Sequence, residues 1–261
     1  MRQYSNAYVV GFATAVCLVC SIVVSTSAVA LRDRQDRNKV LDRQTQVLVV
    51  AGLLEEGQKA SAEDVEALFE ENIQTRVVNL DTGEYDDSVN AATYDQRKAS
   101  KDPALSHGAP TNKAGITRLP IYSLVYRRIE DGAVTSLILP IEGKGLWSTL
   151  YGFIALAPDT TTIRGITFYE HGETPGLGGE VDNPNWKALW VGRRAYDDDW
   201  QPAIEVMKGF AGPAEKDPYR VDGLSGSTLT ARGVTNLVRF WLGENGFDPY
   251  LERLRAEGSS S

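Results

Sequence analysis

Cysteine is almost absent from the 261-residue chain, and both copies, Cys17 and Cys20, lie in one apolar segment near the N-terminus. A structural zinc site needs about four ligands, so this Cys-x-x-Cys spacing indicates two small hydrophobic side chains rather than a metal site. Because residues 31–261 contain no cysteine, their fold needs no disulfide. It is therefore independent of the redox state of its compartment.

Histidine and excess positive charge are also scarce. Only His107 and His171 could act as histidine bases, and residues 223–227 lack the last glycine of a Gly-x-Ser-x-Gly nucleophile elbow. A hydrolase triad is therefore not expected. The 35 acidic residues outnumber the 27 basic ones. This balance argues against nucleic acid as the partner, because phosphate backbones select basic surfaces.

A long apolar run does occur at the N-terminus, where Tyr8 to Ala30 contains no charged residue. Its length matches the roughly 20 residues that cross a bilayer as a helix. A cleaved secretory signal could use Ala28-Val29-Ala30 as its site, but the run is longer than a usual signal core. Val16 and Val19 stand where a lipoprotein needs a small residue before its acylated cysteine. We therefore predict an uncleaved, single-pass anchor.

The charges after this run bear on the orientation of the anchor. A positive-inside count would place the large domain in the cytoplasm, because five basic residues follow the run: Arg32, Arg34, Arg37, Lys39 and Arg43. Long domains, however, can cross a membrane largely regardless of flanking charge. The side of the membrane is thus open from the charges alone.

The remaining chain predicts an α+β fold, a mixed or antiparallel sheet with packed helices, preceded by one N-terminal transmembrane helix. Ser61 with Asp64 predicts a helix N-cap. Predicted strands cover 73–80, 121–129, 133–141, 151–157 and 163–169, with a hairpin turn at Glu130-Asp131-Gly132. Predicted helices cover 185–191 and 229–243, the latter with an amphipathic stripe, and a long loop covers 88–115.

These elements suggest four segments along the chain. Residues 1–31 form the anchor, 32–60 a helical connector, 61–257 the globular domain and 258–261 a disordered tail.

Three segments combine glycine with aromatic and polar residues, namely 140–147, 171–180 and 222–230. In the third, a short loop with two glycines runs into the amphipathic helix, so Thr228 lies at the helix start. Free backbone amides and the positive end of the helix dipole meet there, which suits a phosphate. The alternative is N-capping by Ser225, Ser227 or Thr228, which needs no ligand.

The other two segments are weaker signals by themselves. Gly176-Leu177-Gly178 would need a glycine at position 181 to match a dinucleotide-binding loop, and Val181 stands there. The glycines of this segment could equally serve only to form a turn. A loop tryptophan such as Trp147 is usually a core plug or a lid.

Together the three segments resemble one family. Asp222 to Thr228 is similar to the flavinylation motif Asp-x-x-(Ser/Thr)-Gly-Ala-Thr of FMN-binding proteins, with Ser227 in place of the alanine. Residues 143–156, 170–181 and 184–186 resemble the C subunit of the Na+-translocating NADH:quinone oxidoreductases. The related G subunit of the ferredoxin-linked ion-pumping complex shares the flavinylation motif. Another alternative is a non-redox binding or assembly module with the same fold.

The resemblance implies FMN attached to Thr228 by a phosphoester bond, delivered by a flavin transferase. Asp222 would position the loop or the metal-bound FAD during transfer, and Ser225, Gly226 and Ser227 would complete the motif. The isoalloxazine would be lined by five residues of the second segment: Glu173, Thr174, Gly176, Leu177 and Gly178. Trp147 would wall the ring, and Lys144 would contact the phosphate.

The resemblance also implies partners and a location. The chain would be an electron-transfer subunit of a sodium-pumping complex in the bacterial inner membrane, with residues 61–257 as its periplasmic FMN-binding domain. Its FMN would relay electrons between an iron–sulfur centre and a further covalent FMN. No segment resembles an NADH site, a quinone site or a sodium channel. No catalytic or metal-binding residue is therefore expected here, and the enzyme activity belongs to the whole complex.

Overall fold

A computed structural model describes residues 5–258 and divides the chain into two compact units, Met1–Arg43 and Gln44–Ser261. Helix α1 spans Asn6–Val50. Its most apolar 18-residue window has a mean hydropathy of 2.4 and no buried residue. By length and composition, this helix can cross a membrane. The predicted N-terminal membrane helix is thus matched by a candidate span.

The C-terminal end of α1 belongs to the second unit. Val47 and Leu48 there are fully buried. Gly52, with φ +73°, follows the helix, and the amide of Leu53 donates to the carbonyl of Leu48 at 2.9 Å. A left-handed glycine after the last turn is a common way to end a helix. The chain is thus helical well past residue 31, and the predicted segment boundaries stay predictions.

The elements that follow α1 are helices and strands. They are α2 Ala62–Asn72, β1 Ile73–Asn79, α3 Gln96–Ala99, β2 Ser106–Gly108, β3 Arg118–Pro120, β4 Tyr122–Glu130, β5 Ala133–Lys144, β6 Thr149–Leu156, β7 Ile163–Glu170, a 3₁₀ helix Gly178–Asp182, α4 Pro184–Ala188, β8 Glu205–Val206, β9 Arg220–Val221, α5 Thr228–Trp241 and α6 Asp248–Gly258. Five strands form one sheet in the order β1-β4-β5-β6-β7. Adjacent strands in this sheet are all antiparallel. The predicted α+β class is therefore confirmed.

Local sequence signals placed several of these elements correctly. Ser61 caps α2, with the Asp64 amide donating to its hydroxyl at 3.1 Å and a reciprocal bond that completes a capping box. Asp131 and Gly132, with φ 52° and 79°, form the tight turn between β4 and β5. Two successive positive φ values are typical of a type I′ hairpin turn.

The prediction of a long loop over 88–115 is confirmed for most of the segment, but two short elements interrupt it. The segment contains α3, which Asp95 caps by accepting from the amides of Arg97 and Lys98, and it contains β2, which pairs with β3. Both elements are too short for a periodic pattern, and β2 depends on a partner from elsewhere in the chain. Helix α6 and the parallel pair β8–β9 were not predicted. Gly258, the start of the predicted tail, ends α6, and residues 259–261 lie outside the described part.

Close packing of α5 on β5 fixes the start of α5. A Cβ on Gly233 would lie 2.6 Å from the carbonyl oxygen of Lys144, and one on Gly143 would overlap Leu237. The indole Nε1 of Trp241 donates to the carbonyl of Glu142 at 2.7 Å. The two glycines therefore let helix and strand backbones approach, and the first turn of α5 comes to lie beside the loop after β5.

Candidate functional site

The loop 222–228 turns sharply before α5 begins. The Ser227 amide donates to the carbonyl of Leu224 at 3.1 Å, and Gly226 in this turn has φ +68°. A glycine suits the third position of a turn that requires positive φ. Ser225, Gly226 and Thr228 are exposed. The predicted acceptor Thr228 is thus a surface residue in the first turn of a long helix.

The N-terminus of α5 lacks the cap that its sequence offers. Ser227 occupies the N-cap position but makes no capping hydrogen bond; its hydroxyl lies 3.3 Å from that of Thr230 instead. The first helical bond is from the Ala231 amide to the Ser227 carbonyl at 3.0 Å. Within residues 5–258, the amides of Thr228, Leu229 and Thr230 have no partner. Such a helix end binds anions through its free amides and its dipole.

The carboxylate of Glu173 connects all three glycine-rich segments. It accepts from the amides of Leu146 at 3.3 Å, Trp147 at 2.9 Å and Ser148 at 3.3 Å. It also accepts from the hydroxyl of Thr230 in α5 at 2.5 Å. Burial alone would raise the pKa of Glu173, but these hydrogen bonds outweigh it and hold the pKa below its ordinary value of 4.5. Glu173 therefore stays ionised at neutral pH.

The second glycine-rich segment, 171–180, contacts the 222–228 loop through Leu177. A Cβ on Gly226 would lie 2.9 Å from Cδ2 of Leu177, so this side chain packs on the loop before α5. Leu177 keeps 44% of its surface exposed. Thr174 and Gly176 are exposed in the same segment, and the Thr174 carbonyl accepts from the Leu177 and Gly179 amides. The segment therefore places one apolar side chain beside the loop that leads to Thr228.

Asp222, the first residue of the 222–228 loop, is fixed by two hydrogen bonds. Its carboxylate accepts from the amide of Ala211 at 2.7 Å, and its carbonyl accepts from the indole of Trp186 at 2.9 Å. The next residue, Gly223, donates to the carbonyl of Gly209 at 2.8 Å. These contacts hold the segment around 209–211 against the 222–228 loop.

A cavity of about 570 Å³ opens beside Thr228. Its lining includes Ser225, Gly226 and three residues that the sequence analysis did not single out, namely Lys208, Phe210 and Arg232. Phe210 has 90% of its surface exposed. Arg232 lies four residues after Thr228 on α5, and this spacing, which puts both on one helix face, could have revealed it. No local signal pointed to Lys208 or Phe210.

The structure does not bring Lys144 into this cavity. Its side chain packs against Gly115, and it lines a different cavity of about 370 Å³ with Glu142 and Tyr151. Glu142 and Lys144 share one face of β5 because side chains alternate along a strand. Trp147 follows in the loop after β5, with 70% of its surface exposed, and is tied to Glu173 through its backbone amide alone.

Similarity to known proteins identifies the family of this chain. The FMN-binding domain family matches residues 145–243. Over 257 residues the chain is 49% identical to the C subunit of the Na(+)-translocating NADH-quinone reductase of Pseudomonas aeruginosa, an alignment that covers 97% of this chain and 98% of that relative. The chain belongs to the C-subunit family of the Na+-translocating NADH-quinone reductases.

Other members of the C-subunit family agree with this assignment. The C subunit of the Vibrio vulnificus reductase is 48% identical over 250 residues, which cover 95% of each chain. The crystal structure of NqrC from Shewanella oneidensis superposes with a TM-score of 0.76 at 36% identity, covering 85% of this chain and 99% of that one. The predicted resemblance to the C subunit is confirmed. The matched FMN-binding domain contains every predicted cofactor residue except Lys144.

Proposed function

We propose that this member of the C-subunit family is the FMN-carrying electron-transfer subunit of a sodium-pumping NADH:quinone reductase, with the flavin joined to Thr228 through its phosphate. The observation that carries this proposal is an exposed threonine in the uncapped first turn of α5, inside the matched FMN-binding domain. A threonine there offers its hydroxyl next to amides that have no other partner within residues 5–258.

Several features of the chain fit FMN at this position. The amides of Thr228, Leu229 and Thr230 would hold the phosphate, and Lys208 and Arg232 add positive charge to the cavity that Thr228 lines. The cavity volume of about 570 Å³ lies in the range of roughly 300–1,000 Å³ typical of small-molecule sites. Leu177, which packs against Gly226, provides exposed apolar surface for the ring system. Trp147 is exposed in the loop whose amides bind Glu173, and we propose it as a further wall of the ring.

The division of labour follows from these residues. FMN supplies the redox chemistry when it is bound, and the protein supplies binding, orientation and electrostatics. The acidic Glu173 is buried and fully hydrogen-bonded, so it contributes position and charge. In this proposal the chain acts as one redox component, and the NADH:quinone reductase activity belongs to the assembled complex.

The proposal extends to maturation and location. A flavin transferase would attach FMN to Thr228, whose exposure leaves it accessible to a second protein. The candidate span in α1 fits a membrane subunit. We place the FMN-binding domain in the periplasm, by resemblance to the family. A protease added to intact spheroplasts should then digest this domain, whereas full protection would put it in the cytoplasm.

The decisive experiment is peptide mass analysis of the full chain. The chain is co-expressed with a flavin transferase in a host that makes FAD, purified in detergent and digested. We expect one FMN on the peptide that contains Thr228, and none in Thr228→Ala. Ser227→Ala is the matched control because it removes the neighbouring hydroxyl and should leave the modification in place.

Other outcomes would change the assignment. FMN lost in Ser227→Ala but kept in Thr228→Ala would move the attachment to Ser227. An unmodified wild-type chain beside an active transferase would contradict the covalent proposal and leave a binding module without attached flavin.

A further inference from the structure

Glu173 is an almost fully buried acidic side chain whose carboxylate accepts hydrogen bonds from three amides and one hydroxyl. It has 5% of its surface exposed, although it lies between exposed neighbours on either side, Gly172 and Thr174. Its oxygens face the amides of 146–148 and the hydroxyl of Thr230. A side chain so placed has no free surface to offer an isoalloxazine ring.

Two glycines make room for this carboxylate. A Cβ on Gly145 would lie 2.6 Å from Oε1 of Glu173, and a Cβ on Gly178 would lie 2.7 Å from Oε2. Any larger residue at either position would displace the carboxylate from its donors. Gly145 and Gly178, one in each of the first two segments, therefore serve this internal contact.

The backbone of Glu173 is fixed as well as its side chain. Its amide donates to Nδ1 of His171 at 3.1 Å, so Nδ1 acts as an acceptor. The other ring nitrogen of His171, Nε2, lies 2.7 Å from a carboxylate oxygen of Asp182, which orients the ring. Both the backbone amide and the carboxylate of Glu173 are therefore fixed by hydrogen bonds. The carboxylate can thus hold the Thr230 hydroxyl and the 146–148 amides in a fixed position.

We infer that Glu173 is the positioning residue of the flavin attachment site, acting through Thr230 and the 146–148 amides without contacting the flavin. Thr230 lies two residues after Thr228 in the first turn of α5. Fixing the inward Thr230 hydroxyl fixes the rotation of that turn, which keeps Thr228 on the outside and leaves the helix amides to the phosphate. The role in flavin attachment rests on the proposed function, whereas the hydrogen bonds of Glu173 are independent of it.

The first test measures the network without any flavin. The full chain is purified in detergent from a host without transferase, and amide hydrogen exchange is compared among variants. In Glu173→Gln, an amide nitrogen replaces one acceptor oxygen, so we expect exchange in residues 146–148 to accelerate about tenfold, the size of one lost charge-assisted hydrogen bond. Glu180→Gln is the matched control, because Glu180 lies in the same segment and accepts from Asn183.

The second test measures attachment. The initial rate of FMN incorporation into detergent-purified full chain is followed by intact mass at saturating FAD and transferase, and is normalised to the folded fraction. Glu173→Gln and Thr230→Val should each lower this rate about tenfold. Thr230→Ser, which keeps the hydroxyl, should restore it, and Glu180→Gln should leave it unchanged. Rescue by serine is not expected from a simple packing role of Thr230.

The outcomes separate this inference from the proposed function. A wild-type chain that never acquires FMN would overturn the proposed function, and unchanged exchange in Glu173→Gln would independently overturn the network. A rate that falls in Glu173→Gln but not in Thr230→Val would also overturn the inference, because Glu173 would then not act through the first turn of α5.

Discussion

On the inner side of the first turn of α5, Ser227 and Thr230 are buried, whereas on the outer side Thr228 and Arg232 face solvent. The two inner hydroxyls contact each other, and that of Thr230 donates to Glu173. The amides of Thr228, Leu229 and Thr230 have no partner within residues 5–258. A helix start commonly uses its serine or threonine to cap its own amides. Here Ser227 and Thr230 form hydrogen bonds inside the protein instead. We therefore expect the stability of the turn to depend on these two residues and ligand binding to depend on Thr228.

The strongest way to disrupt the inner side is Gly178→Ala. The new Cβ would lie 2.6 Å from Oγ1 of Thr230 and 2.7 Å from Oε2 of Glu173. We expect the free energy of unfolding to fall by about 3 kcal/mol, from overpacking and a strained charged hydrogen bond. Chemical denaturation of the full chain in detergent measures it. Gly108→Ala is the control, since nothing lies within 4 Å of its Cβ position. Equal losses in both variants would contradict tight inner packing.

The same substitution on the two sides should give opposite results. Thr230→Val removes a donor from buried Glu173, and we expect a loss of about 2 kcal/mol in the free energy of unfolding. Thr228→Val changes an exposed residue, so stability should stay within about 0.5 kcal/mol, while covalent FMN disappears. Denaturation and intact mass are measured on the same preparations. A stability loss at Thr228 as large as that at Thr230 would remove the distinction between the sides.

Acidification should lower the free energy of unfolding by less than the substitutions above, through protonation of Glu173. The pKa of Glu173 lies below its ordinary value of 4.5 in the folded chain. Its ionised form therefore adds stability above that value, and this contribution is lost as the pH falls through the folded-state pKa. The difference in unfolding free energy between wild type and Glu173→Gln should be largest near about pH 7 and shrink toward about pH 3. A difference that is constant over this range would show that the charge of Glu173 does not matter.

The smallest expected effect lies on the outer side, at Arg232. Arg232→Gln removes an exposed charge from the cavity beside Thr228. Stability should not change, but FMN attachment at low salt should slow about twofold to fivefold, the range of an exposed charge interaction. The effect should fade at high salt because exposed charges are screened. Lys113→Gln, another exposed cation outside the cavity lining, is the control. An equal slowing there would indicate a general charge effect.

Much of the fold follows from neighbours in the sequence. The cap of α2 at Ser61 depends on Asp64, and the turn at Asp131-Gly132 depends on two residues that tolerate positive φ. The amphipathic stripe of α5 and the apolar run of α1 are likewise periodic or compositional. Elements that need distant partners were missed or misread: β2 pairs with β3, and β8 pairs with β9. Two or three residues carry too little pattern to predict a strand.

The candidate site divides in the same way. The sequence by itself determined that Thr228 opens a long helix after a glycine turn, because caps, turns and helical periodicity act over a few residues. Only the tertiary structure decided that Glu173 turns inward to Thr230, 57 residues away, and that Lys208 and Phe210 border the same cavity as Thr228. It also placed Lys144 in another cavity. Such contacts depend on sheet register and on backbone approach at glycines, which no short stretch of sequence specifies.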